Sequence, residues 1–428
     1  MQSSTQNFSS TNELLNRRSV LGPAYRLFYD QPLELVKGDG VWVEDARGRQ
    51  FLDAYNNVPV VGHCNPAVVA ALTQQAATLN THTRYLHENI VRYAERLLDL
   101  FPSGLDTAMF TCTGSEANDL ALRIAGEFTG QRGLIVTENA YHGVTAAVAE
   151  ISPSLAETAP HVRVIPPPSQ FAGPPDAVAD RFAQAVDRAA DDLEAKGIGI
   201  AALMLDSVFA SDGLYVESSN ALATAADRIH ARGGLFVVDE VQGGFARTGS
   251  HWWSFQRDDC MPDMVSMGKP MGNGHPVAGL VLQRHLLEHF GNNYRYFNTF
   301  GGNTVSAAVG LAVLDELERI NAPTHVHDMG LYVSNALDRL AQQYDCIGAV
   351  RGAGLYWCID VHDPSRDSAS DARIAESIVN GMCHAGVLIG TSGIHGNSLK
   401  IRPPLVFQTE HVDRLISTLE QQCKKLRA

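Results

Sequence analysis

Across residues 108–282, short apolar runs alternate with stretches whose apolar positions recur every three to four residues, which predicts strands separated by covering helices. Residues 108–111, 133–137, 161–165, 201–205, 235–238, 264–267 and 277–282 read as the strands. Such alternation builds a mostly parallel sheet between helices, the α/β class, here with seven strands. Between the first two runs, Ala117, Leu120, Ala121, Ile124, Ala125 and Phe128 share one face of a helix over 115–128. The Pro-rich residues 166–175 interrupt the alternation as a surface excursion. Past Gly301 the pattern changes to helices over 303–320 and 330–343, then strands over 347–350 and 354–361. The predicted organisation is a loose terminus at residues 1–10, a large domain at 56–310, and a smaller α+β domain built from both ends of the chain, 11–55 and 311–428.

Composition narrows the function classes. A chain of 428 residues with 45% apolar residues has room for a large core and a second one. Its 33 basic and 47 acidic residues give a net charge of −14, and no Lys/Arg block stands out, so nucleic acid is not an expected partner. Apolar stretches such as residues 197–205 stop well short of the roughly 20 residues that cross a bilayer, so no membrane association is expected. The first dozen residues, rich in Ser, Thr, Asn and Gln, support neither a secretory signal nor a transit peptide. Seven scattered cysteines without a C-x-x-C pair argue against a disulfide framework or zinc knuckle and for a reducing, cytoplasmic setting. Sixteen histidines form no H-E-x-x-H, and no metal site is expected.

Chemistry concentrates where strands end. The apolar run ending at Val238 leads into Asp239 and Glu240, and acids at the carboxyl end of a central strand of an open α/β sheet face the ligand crevice. A solvated acid pair closing a strand is the bland alternative. The run ending at Met267 delivers Lys269 into a turn of Gly268, Pro270, Gly272, Asn273 and Gly274. Small residues there let a bulky ligand approach and keep the amine partly desolvated, which lowers its pKa and frees a nucleophile. One amine and one carboxylate are what pyridoxal phosphate needs: the amine forms an imine, and the carboxylate keeps the ring nitrogen protonated. Gly114 and Ser115 open the helix after the first strand, where free amide N–H groups and a hydroxyl make an anion site. A Ser there could equally be a plain N-cap. Tyr141 and His142 follow the second strand and so fall on the same edge, where an aromatic could lie on a pyridine ring.

Residues 236–249 followed by 263–274 resemble the cofactor-lysine signature of the class III aminotransferases, and the resemblance extends from about Val20 to Leu426. It implies pyridoxal-phosphate fold type I, with Lys269 as the imine lysine and proton shuttle and Asp239 as partner of the pyridine nitrogen. It further implies that Gly114 and Ser115 hold the phosphate, that Tyr141 covers the ring with His142 beside it, and that Val241 and Gln242 lie near its other face and its hydroxyl. Thr299 matches a threonine that reaches the neighbouring subunit's cofactor phosphate, which implies a homodimer with shared sites. Arg402 matches the substrate-carboxylate arginine.

One departure bears on the substrate. Family aminotransferases commonly carry E-P-x-x-G-E after the fourth strand, and the second Glu pairs with the arginine; here residues 206–211 read D-S-V-F-A-S. Ser211 replaces that Glu, so Arg402 is expected to be free to hold an anion. Residues 61–66, 84–89, 251–255 and 267–276 most resemble the ethanolamine-phosphate and phosphohydroxylysine phospho-lyases. The resemblance implies elimination of phosphate from a small phosphorylated amine, with Arg402, Arg84 and Asn57 as candidate substrate contacts. An ω-amine or amino-acid transaminase using pyruvate or another oxo acid stays open, as does a catalytically silent binding protein on the same fold.

Overall fold

The structure, a computed structural model, describes residues 11–217, 220–363 and 372–427. The expectation for residues 1–10 lies outside the described residues. All seven apolar runs form one sheet, in the order Thr107–Thr111, Ala278–Leu282, Met264–Met267, Leu235–Asp239, Ile200–Asp206, Gly133–Thr137 and Val162–Ile165. Ala278–Leu282 pairs antiparallel with both of its neighbours, and the remaining neighbours pair in parallel.

Every residue of Ile200–Asp206, Leu235–Asp239 and Gly133–Thr137 is buried, because helices cover both faces of the sheet. Successive side chains divide between two cores. Leu134, Val136, Ala202, Met204, Leu235 and Val237 pack with Leu120, Ala121 and Ile124 of helix Gly114–Thr129. Ile135, Leu203, Leu205, Phe236 and Val238 join the larger core with Phe182, Val186 and Ala225 from helices Pro175–Ala195 and Ala221–His230. Phe128 departs from the predicted apolar face: it is 37% exposed and lies edge-on to His285 and His289.

The two ends of the chain meet in a second sheet. Leu35–Asp39, Trp42–Asp45 and Gln50–Asp53 form an antiparallel ribbon whose last strand takes Val387–Leu388 as a parallel neighbour. A third sheet holds Ile347–Ala353, Tyr356–Val361, Ser398–Ile401 and Gly390–Ser392, and it delivers Arg402 to the end of the large sheet. The predicted boundary between residues 310 and 311 falls inside the continuous helix Thr304–Arg319. The next helix starts at Ala322 rather than at 330, since Pro323 sits in its first turn, where the missing N–H would have no helical partner anyway. Among the described residues, no helix is long and apolar enough to cross a membrane.

Candidate active site

At the carboxyl ends of the parallel strands, Gly114, Ser115, Tyr141, His142, Gly143, Asp206, Asp239, Val241, Gln242 and Lys269 line one cavity. Asp239 is its electrostatic centre. Its Oδ2 accepts from Asn118 Nδ2 at 2.9 Å and lies 2.9 Å from His142 Nδ1, while Oδ1 accepts from the Val241 amide at 2.9 Å. Burial pushes the Asp239 carboxyl up, yet His142, through its hydrogen bond and its charge, followed by the Val241 and Asn118 donors, outweighs burial and holds the group below the ordinary carboxylate range. His142 is therefore no surface residue. It is 3% exposed and orients the acid.

The neighbouring Glu240 faces the other way. Its Oε1 accepts from the Phe255 amide at 2.8 Å, and burial raises its carboxyl to about 8, so it is neutral at pH 7. The acid pair read from the sequence thus splits into one anion in the cavity and one neutral acid in the interior. A folded pKa above the unfolded value of 4.5 stabilises fully below 4.5, and that stability is lost as pH rises toward about 8, at roughly 1.4 kcal/mol per pKa unit. Glu240→Gln is therefore expected to keep activity and to gain stability relative to wild type as pH rises from 5 to 8. Urea midpoints across that range check it; parallel curves for the two proteins would refute it.

The anion cradle comes from helix Gly114–Thr129. Its N-cap is Thr113, not Ser115: Thr113 Oγ1 accepts from the Glu116 amide at 3.2 Å, and Glu116 Oε2 accepts from the Thr113 amide at 3.0 Å. The capping box leaves the Gly114 and Ser115 N–H groups without a helical acceptor, and both residues line the cavity. The Ser115 hydroxyl accepts from the Val144 amide at 3.1 Å and keeps its own proton for an anion. Two glycines make the approach possible. A Cβ on Gly114 would lie 2.8 Å from Val241 Cγ2, and one on Gly143, at φ +138°, would lie 2.4 Å from Ser115 Oγ.

Lys269 follows strand Met264–Met267 into the cavity. Burial first, then the charge of Arg402, lower its pKa, with Asp239 and Asp206 opposing. Sequence reasoning passed over Asp206 and Asn118 as site residues. Asp206 pairs in register with Asp239 across adjacent parallel strands, and burial followed by the Asp239 charge raises its carboxyl to about 6. Only the strand register could have indicated it.

Arg402 departs from expectation. It is 8% exposed and not free: Nη1 donates to Gln242 Oε1, Nε donates to the Tyr55 carbonyl at 3.1 Å, and the guanidinium carbon lies 4.7 Å from the Tyr55 ring centroid. Tyr356 also donates to Gln242 Oε1, at 3.2 Å. Gln242 is a neutral partner, so it orients the arginine without cancelling its charge. Four predicted residues are not among those that line this cavity: Arg402, which reaches it through Gln242, and three others. Asn57 is buried with its Nδ2 unpartnered, Arg84 is exposed with its guanidinium 3.8 Å from the Phe297 ring centroid, and Thr299 is exposed nearby in sequence.

The residues present fit pyridoxal phosphate: an anion cradle that only glycines leave open, a carboxylate held ionised for the ring nitrogen, a partly exposed Tyr141 for its face, and a desolvated amine. Fold and site define a pyridoxal-phosphate-dependent enzyme of fold type I. Residues 28–423 match the model of the family described as aminotransferase class-III, and the chain belongs to that family. It is 36% identical to the Drosophila melanogaster alanine–glyoxylate aminotransferase 2-like protein over 96% of this chain and 87% of that one. With the Caenorhabditis elegans ethanolamine-phosphate phospho-lyase homolog 1 it shares 33% identity over 97% and 94% of the two chains. Among solved structures, it matches a phospholyase from Arthrobacter in complex with phosphoethanolamine at a TM-score of 0.92, with 43% identity over 96% of this chain and 99% of that one.

Proposed function

We propose that this protein is a phospho-lyase that takes a small phosphorylated amine such as phosphoethanolamine, with one water, to an aldehyde, ammonia and phosphate. The observation that carries the reading is the arginine: Arg402 is held by the neutral Gln242, and the family resemblance puts Ser211 at the position of the glutamate that pairs with it in the aminotransferases. A permanently available cation suits a substrate whose anion must be bound throughout and then leave. The likeness to the Arthrobacter phospholyase and the Caenorhabditis phospho-lyase homolog supports the same choice.

Pyridoxal phosphate supplies an electron sink for the carbon next to the substrate nitrogen. Lys269, with its depressed pKa, is the group that removes the proton from that carbon. Asp239 stays anionic and holds a proton on the ring nitrogen, backed by His142 and Asn118. Arg402 holds the departing phosphate, and Tyr141 shields one face of the site.

The reading extends to a cytoplasmic homodimer. A groove of about 430 Å³ lined by Ile90, Val91, Ala94, Leu98, Met109 and Phe297 opens on the surface, and Tyr85, Leu86 and Phe300 are exposed on the segments around it. Arg84 and Thr299 belong to the same two segments and, away from their own cavity, would serve the partner's. None of the seven cysteines forms a disulfide, which supports a reducing compartment. Incubation with phosphoethanolamine, with phosphate and acetaldehyde measured together, tests the activity. Alanine formation from pyruvate without phosphate release would overturn it in favour of a transaminase.

A further inference from the structure

The strand that leads to Arg402 also carries Lys400, whose surroundings are unusual for a lysine. It is 8% exposed, and its Nζ donates only to the Ala210 carbonyl at 3.2 Å and to Ser392 Oγ at 3.4 Å, both neutral. The amine lies 5.9 Å from the Tyr356 ring centroid, and the Tyr356 hydroxyl shares Gln242 Oε1 with Arg402. A protonated lysine has three N–H donors, so one is left without an acceptor among the described residues. Burying an ammonium without a counter-charge is costly, and an apolar side chain would fill the space more cheaply. Lys400 also bonds to Ala210, the residue before Ser211, where the family resemblance led to the expectation of a carboxylate.

We propose that Lys400 is the second cation of the substrate's anion subsite and, with Arg402, selects a doubly charged phosphate ester over a singly charged carboxylate. The phosphate ester as occupant rests on the phospho-lyase reading; the anion site itself rests on the two cations. Around Lys400 stand Arg402 just past the end of its strand, Tyr356 and Cys358 on the adjacent strand, Asp206 at the end of the large sheet, and Lys269. Burial first, and Arg402 next, bring its amine down to about 7, with Cys358 and Asp206 opposing and Lys269 adding to the fall. A dianion should reverse that shift on binding.

Sulfate, a dianion at every pH from 6 to 9, is the probe, with binding to the cofactor-loaded enzyme followed by calorimetry. Wild-type affinity is expected to weaken as pH rises past about 7. K400M should bind roughly ten- to a hundredfold more weakly at pH 6, the loss of one charged hydrogen bond, and show no such fall. K400R should bind well and without the pH dependence. Wild-type affinity that is flat over this range, or K400M behaving as wild type, overturns the proposal. Should K400M fail to take up cofactor, the wild-type pH profile and K400R decide it. Phosphate release from phosphoethanolamine is scored separately: its absence alongside a Lys400-dependent sulfate site removes the lyase reading and leaves the cation pair standing.

Discussion

Lys269→Ala is expected to lower turnover by about 10⁴-fold or more while leaving the fold intact. The size follows from losing both the nucleophile and the general base, the latter alone worth roughly 10²–10⁴-fold. Stability should hold because the Lys269 amine has no hydrogen bond among the described residues, and burial already disfavours its charged form. Two measurements check it. Thermal unfolding should stay near wild type, and borohydride should fix the cofactor to wild type but not to the variant. Covalent capture in the variant would show that another amine, with Lys400 the nearest candidate, carries the cofactor.

Asp239→Asn should follow closely, with a loss of roughly 10²–10⁴-fold in kcat, since the lost charge acts in a buried site. An asparagine cannot reproduce the arrangement. Three donors converge on the carboxylate, from Asn118, His142 and Val241, and an amide nitrogen would confront at least one of them. It also cannot stay anionic beside the ring nitrogen. The companion variant Glu240→Gln, one residue on, should be nearly silent in activity because that acid is already neutral. Equal losses at the two positions would refute the division of labour between them. An Asp239→Asn enzyme with wild-type kcat would remove the carboxylate from the mechanism.

How much of this was legible in the chain depends on the range of the forces involved. The seven strands of the large sheet were readable because each is a short apolar run buried on both faces, so neighbouring positions carry the signal. Lys269 and Asp239 stood out as candidates because each follows directly on such a run, at the same edge of the sheet. The N-cap, Thr113, was not read from the chain, since neighbouring hydroxyl residues look alike there and only the reciprocal bonds with Glu116 single it out. Lys400 went unread because an isolated lysine is ordinarily a solvated charge. The parallel pairing of Gln50–Asp53 with Val387–Leu388, which joins the two ends of the chain, left no local trace.

Sequence alone determined the sheet and singled out Lys269, Asp239 and the helix start at Gly114 and Ser115, which the structure brings to one cavity, because each is written in a few consecutive residues. Tertiary structure alone decided which groups face one another. It placed Asp206 beside Asp239, closed His142 and Asn118 over that acid, gave Arg402 the neutral partner Gln242, 160 residues away, and buried Lys400 next to it. The physical reason is that charge, burial and hydrogen-bond partner act over a few ångströms of space, whatever their separation along the chain. A residue's type can be read from the sequence, but its protonation and its role are set by what the fold brings against it.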